Sequence, residues 1–206
     1  MDNVINNLFA GSNPRLEQVE LVGPTLRLEA TFDLRHCSRL TDFLNAQERY
    51  AQASDVRIIG PQGTPISEEI ASMQVSLADI NFVAQRVASP LPRASGDVFV
   101  PKTSKRILAT TSGHMINGLI SLYEGADLDG FIRARDPQFV PLRHATVHRL
   151  SSPDEGTYYD LVLVNRSYLT SAGEYPVASP EQDEADINEQ LPLFSDLTVI
   201  AVGTAA

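Results

Sequence analysis

Four histidines and one cysteine are the residues from which a metal site or a nucleophile would be built. His144 and His148 stand four apart, the spacing that sets two zinc ligands side by side on a helix. Their segment, Phe139 to Leu150, reads as a strand. Four residues of strand span roughly 13 Å, too far for one ion held about 2 Å from each ligand. The pair is therefore expected on a strand surface or edge without a metal. His36 and His114 have no cysteine or acidic cluster beside them. Cys37 precedes a predicted helix start, where the macrodipole lowers a thiol pKa. A nucleophile also needs a base, and the adjacent His36 need not face the sulfur, so Cys37 is read as a free small apolar residue.

Acidic pairs fall where acids have structural work. Asp127 and Asp129 open a predicted helix, and Asp154 and Glu155 lie in a predicted turn. Their spacing does not make an EF-hand loop. Gly-x-Ser-x-Gly, Walker A and Gly-x-Gly-x-x-Gly patterns are absent. No catalytic residue, cofactor or metal-ligand set is expected, and the chain reads as non-enzymatic. Arg133, Arg135, Arg143 and Arg149 are the basic group that would suit an anionic metabolite or nucleotide between the two halves of the chain. That makes a small-ligand sensor the alternative reading.

The elements that must position these residues are read from composition and pattern. The chain has 206 residues, 43% of them hydrophobic, enough for a packed core. No apolar run approaches the roughly 20 residues of a membrane-spanning helix. The first residues carry neither the basic nor the long apolar region of a signal peptide. A single cysteine forms no internal disulfide and suits a reducing cytoplasm. The net charge of −10 disfavours nucleic acid and anionic membranes, and the absence of Trp gives no base-stacking platform. This charge is uneven. Seven of the 26 acids follow Arg166, the last basic residue, so the remaining 19 face all 16 bases, a balance of −3.

Two halves of the chain resemble each other. Leu40-Thr41-Asp42-Phe43-Leu44-Asn45-Ala46 matches Leu128-Asp129-Gly130-Phe131-Ile132-Arg133-Ala134 at an offset of 88. Both carry apolar residues at i, i+3 and i+4, the face of a short helix. From Tyr50 and Phe139 onward the offset is 89, and it persists through Met73–Ile80 against Val162–Leu169. Each half predicts two strands about a glycine (16–22 and 26–32; 106–111 and 115–123) and a helix (39–46 after Ser38; 128–134 after Asp127). Two further strands (49–59 and 73–77; 139–150 and 158–164) and a short turn seating one apolar side chain complete each half. Alternation of Leu26, Leu28, Ala30 and Phe32 with Arg27, Glu29 and Thr31 is the period of a half-buried strand. Pro141 marks an edge or bulge, and 60–63 and 151–156 carry hairpin-turn chemistry.

The expected architecture is mainly β (α+β): a tandem duplication of a small β-sheet or barrel-like module, each copy with one short helix, and an extended acidic C-terminal tail. Residues 1–87 form the first module, 88–104 a linker, 105–173 the second, and 174–206 the tail. The tail ends apolar, and Leu193, Phe194, Leu197, Val199 and Ile200 are expected to return as a strand or to dock on another chain.

Arg39-Leu40-Thr41-Asp42-Phe43-Leu44-Asn45, Tyr50, Asp55-Val56 and Val164-Asn165-Arg166-Ser167-Tyr168-Leu169 resemble a family of uncharacterised bacterial proteins with an R-L-[ST]-D-x-L-N helix motif. The resemblance covers about 60 residues in each half, departs at Gly130 and Arg133, and implies a recurring β-rich module with no established activity. The function expected is that of a cytoplasmic adaptor or assembly component, working through contacts with a protein partner or a second copy of itself.

Overall fold

The computed structural model describes residues 15–34, 37–88, 100–134, 136–176 and 198–201. In chain order the first elements are β1 (Leu16–Val22), β2 (Arg27–Asp33), α1 (Leu40–Asn45), β3 (Tyr50–Ile58), β4 (Ile70–Ser76), a 3-10 turn (Leu77–Asp79) and β5 (Phe82–Gln85). Then come β6 (Lys102–Thr111), β7 (His114–Tyr123), α2 (Leu128–Arg133), β8 (Phe139–Arg149), β9 (Ser152–Asn165), a second 3-10 turn (Arg166–Tyr168), β10 (Ser171–Glu174) and β11 (Thr198–Ala201). The protein is mainly β. All neighbours pair antiparallel in one sheet, ordered β11-β10-β6-β7-β8-β9-β5-β1-β2-β3-β4.

Two five-strand units make up all but β11, with the orders β5-β1-β2-β3-β4 and β10-β6-β7-β8-β9. Each has its helix after the second strand and its 3-10 turn after the fourth. Pairing registers repeat as well: Leu16↔Asp33 is echoed by Ser104↔Ser121, Tyr50↔Ser76 by Phe139↔Asn165, and Val22↔Phe82 by Thr110↔Ser171. The third strand of each unit is bulged at a residue with left-handed backbone, Asp55 (φ 51°) and His144 (φ 48°), 89 residues apart. Bulges bend a strand and re-aim its side chains. Gly118 faces the second bulge, where a Cβ would come within 3.0 Å of Ala145 Cβ.

Each unit has its own core. Leu21, Leu28, Phe32, Leu40, Leu44 and Val75 belong to the first; Ala109, Ile116, Ile120, Leu128, Ile132 and Val164 to the second. The i, i+4 leucines of α1 and the Leu128/Ile132 pair of α2 bury one helix face against the sheet. The cores meet at β5 and β9 on opposite sides of the sheet. Val83 and Leu163 point into the first core, whereas Phe82, Ala84, Val162 and Val164 point into the second. Successive side chains of a strand alternate faces, so both strands are buried on both sides.

Several sequence expectations shift. The sheet stays open, with β4 paired only to β3 among the described residues, so the sheet form of the module applies rather than a barrel. Each unit has a fifth strand that pattern reading does not supply. β5 is four residues long and buried on both faces, so it has no alternation, and β10 is Ser-Ala-Gly-Glu, poor in β-formers. Ser38 is not the cap of α1; Arg39 occupies that place without a side-chain cap, and the Ser38 hydroxyl bonds the Asp42 carboxylate at 3.3 Å. Asp127 does cap α2, accepting from the Gly130 N–H at 2.6 Å. Residues 152–156 belong to β9 rather than to a loop; the extra residues bulge out between the Arg149↔Ser152 and His148↔Gly156 pairs. Pro141 sits where β8 pairs with β9 but not with β7, consistent with its missing donor. Residues 102–104 of the expected linker are already strand.

Candidate functional site

Several buried polar groups, among them Asn81, Gln85 and Asn165, lie at the junction between the units. β5 and β9 pair from Phe82↔Val164 to Gln85↔Leu161, continued by the Asn165 N–H donating to Asn81 O at 2.8 Å. Side chains reinforce the backbone. The Asn45 amide, at the end of α1, donates to Phe139 O at 3.1 Å and accepts from Phe139 N–H at 2.7 Å, so it acts as one more rung of ladder. Fully buried Asn165 donates to Leu77 O and Ile80 O at 3.1 and 2.8 Å and accepts from Ser167 N–H at 3.1 Å. The Tyr168 hydroxyl donates to Ala78 O at 2.6 Å. Phe139, on β8, is completely buried in the core of the other unit.

A second cluster ties β9 to β1 and β2. The Tyr159 hydroxyl donates to the Glu20 carboxylate at 3.0 Å, Arg27 pairs with the same carboxylate at 2.5 Å, and the Arg86 guanidinium lies 5.5 Å from the Tyr159 ring. Gln85 donates to Glu17 at 2.9 Å. Burial, and then the neighbouring Glu20 carboxylate, push the Tyr159 phenol well above its ordinary value. Its proton is held more tightly in the folded chain than in the unfolded one. The stability this contributes is fully present below pH 10 and is lost as pH rises from there towards the folded pKa. The expected result is that the urea midpoint of the native chain falls from pH 9 to pH 11 more steeply than that of Tyr159→Phe. Equal falls would show that the phenol does not titrate differently in the two states. His114 moves the opposite way for a base: burial lowers its pKa, and its ring stands edge-on to Phe82 at 5.1 Å.

Outside the junction, the described residues leave the sheet two terminal strands, β11 at one end and β4 at the other, and β4 is the edge of the first unit. Leu77 N–H donates to Arg49 O at 2.9 Å. Antiparallel ladders alternate, so the N–H groups of Val75 and Met73 face β3, and those of Ser72, Gln74 and Ser76 face outward, with no partner strand among the described residues. Tyr50, Ser72 and Gln74 are exposed, where the corresponding Phe139, Leu161 and Leu163 pack into the first core. At the opposite end β10 pairs with β11, Ser171↔Ala201 to Glu174↔Thr198.

Among the described residues, Arg133, Arg143 and Arg149 take separate partners. Arg133 is exposed and paired with Asp129 at 2.8 Å. Arg143 donates to Ser104 and Ser121 hydroxyls at 3.2 and 3.1 Å, and Arg149 to Pro61 O at 3.0 Å. Arg143 and Arg149 stand six strand residues apart, roughly 20 Å. Arg135 lies outside the described residues. A cavity of about 10 Å³ under α2, with Ile107, Ile132, Leu142 and Arg166 in its wall, has room for about one water; Arg133, Arg143 and Arg149 are not in its lining. Arg166 instead caps the C-terminal end of α2, donating to Pro137 O at 2.9 Å, to Ile132 O at 3.0 Å and to Phe131 O.

His144, exposed in its bulge, contacts the Tyr158 hydroxyl at 2.9 Å; His148 is buried and bonds Pro153 O at 2.7 Å. Cys37 is half-buried, and Asp154 and Glu155 are exposed on β9. Among the described residues no group of three or more His, Cys, Asp or Glu side chains is placed to hold a metal ion, and no helix is long and apolar enough to cross a membrane. His36, the acidic run 183–186 and Leu193, Phe194 and Leu197 lie outside the described residues; Val199 and Ile200 fall in β11. Asn45 and Asn165 stood inside the sequence motifs, but nothing in the residue types signalled their roles across the junction.

No protein-family model, curated protein or solved structure matches the chain.

Proposed function

We propose that the chain is two copies of one β-module joined edge to edge, and that it acts as a non-enzymatic assembly or adaptor protein through its open sheet edge. The matched strand orders, registers and bulge positions support the duplication. The observation that carries the function is β4. The corresponding strand of the second unit, β9, spends its outward amides on pairing with β5, and β4 holds the same amides unused. An open strand edge is a template for strand addition by a partner. The sole cysteine suits work in a reducing compartment such as the cytoplasm.

Gln74→Pro tests this selectively. It removes one outward donor and leaves the ladder to β3 intact, which is where proline is tolerated in a sheet. Affinity purification of the tagged chain from cells that express it should show a specific co-purifying protein or untagged copy, reduced at least about tenfold by Gln74→Pro, the equivalent of roughly 1.4 kcal/mol. An unchanged set of co-purifying proteins would refute the role of β4.

A further inference from the structure

β11 takes on β10 the place that β9 takes on β5. At the junction the pairs run Phe82↔Val164, Val83↔Leu163, Ala84↔Val162 and Gln85↔Leu161. The residues 89 positions after Phe82–Gln85 are Ser171–Glu174, and they pair in the same order with Ala201, Ile200, Val199 and Thr198. Thr198-Val199-Ile200-Ala201 thus stands where Leu161-Val162-Leu163-Val164 would. The β10 edge accepts a strand in the register that the junction reserves for the fourth strand of a unit. The fourth strand still open is β4.

We infer that the partner for the β10 edge is a second copy of this chain, whose β4 adds when β11 leaves, and that β11 is a tethered strand that holds the chain single. This rests on the reading of the chain as two copies of one module working through β4. The junction dictates the register of the contact: Ser171↔Val75, Ala172↔Gln74, Gly173↔Met73 and Glu174↔Ser72. Because the two edges differ, the contact is head-to-tail and repeats along an array.

The chemistry of the edges makes this contact weaker than the junction it copies. Phe82, Ala84, Phe139 and Leu163 interlock the two cores at the junction. Their counterparts Ser171, Gly173, Tyr50 and Gln74 are polar or small, so copy-to-copy pairing keeps the backbone bonds and loses most of the apolar interlock. β11 competes from within the chain, joined to β10 through residues 175–197, at an effective concentration in the millimolar range. At micromolar protein it wins by about 100-fold or more for strands of equal intrinsic affinity.

The test uses the full chain in a Cys37→Ser background. Val199→Pro with Ile200→Pro releases β11. Light scattering should show an apparent association constant about 100-fold above that of the native chain. Oxidative mixing of one copy carrying Ser72→Cys with another carrying Glu174→Cys should give a mixed disulfide in the released chain. A lock, Ser171→Cys with Ala201→Cys, fastens β11 in place; when oxidised it should abolish both association and cross-linking up to millimolar protein. If the prolines unfold the chain, the native and locked forms at millimolar protein decide, with cross-linking in the native form alone as the expected result. Release without association, association without the cross-link, or a locked form that cross-links as fast as the native one would each overturn the inference. If these fail while Gln74→Pro still removes a different protein, the copy-to-copy contact is wrong and the β4 reading stands. If Gln74→Pro removes nothing, the β4 reading itself has failed.

Discussion

Phe139→Ala is expected to lower the stability of the chain by about 3–5 kcal/mol, the cost of emptying a fully buried aromatic site, and to loosen the unit to which Phe139 does not belong. The residue begins β8, yet its ring is wholly enclosed in the first core and its N–H and C=O are held by Asn45. The cavity therefore opens beside α1, in the first core. Urea unfolding followed by circular dichroism gives the magnitude. Amide hydrogen exchange gives the place: protection should fall most in α1 and the strands of the first unit, and least in β6 and β7. A loss confined to the second unit would mean that the junction does not couple the two cores.

Asn165→Ala should cost about 3 kcal/mol, for a different reason. It removes little apolar contact but leaves Leu77 O, Ile80 O and Ser167 N–H without their partner, and a buried polar group left unsatisfied costs about 1–3 kcal/mol. Asn165→Asp should be worse at neutral pH. A carboxylate can still accept from Ser167, but it meets two carbonyl oxygens in a site that water does not reach. Equilibrium unfolding of both variants checks the order; an Asp variant as stable as the native chain would show that the amide does not donate to those carbonyls. The corresponding residue of the first unit is Ser76, at the open edge. Among the described residues no strand lies beyond it to clasp, whereas the neighbours Val75 and Val164 are both buried and alike.

Much of the fold was legible because its signals are local. Alternation through Leu26–Phe32 marks a strand with one wet face, Leu40/Leu44 and Leu128/Ile132 mark two short helices, and the offsets of 88 and 89 locate corresponding elements. β5 and β10 were not legible. A strand buried on both faces carries no alternation, and Ser171-Ala172-Gly173-Glu174 has no β-forming side chain; each is a strand only because β1 or β6 offers it an edge. The arginines were grouped by charge alone, and among the described residues Arg133, Arg143 and Arg149 each spend donors on a separate neighbour. The junction was illegible for a deeper reason. Asn45 and Phe139 are 94 residues apart, and their pairing depends on which sheet edge meets which, a property of topology that no local pattern encodes. The open edge emerges only by comparison: Gln74 and Ser72 look ordinary until Leu163 and Leu161 are seen in their places at the junction.

Residue-resolved hydrogen exchange on β4, in the isolated chain and in the complex that co-purifies with it, tests most directly whether the β4 edge takes the partner. The amides of Ser72, Gln74 and Ser76 should exchange fast in the isolated chain and slow at least about tenfold in the complex, while those of Met73 and Val75, already bonded to β3, are slow in both. Unchanged exchange at those three outward amides, with protection gained elsewhere on the chain, would contradict partner pairing at β4.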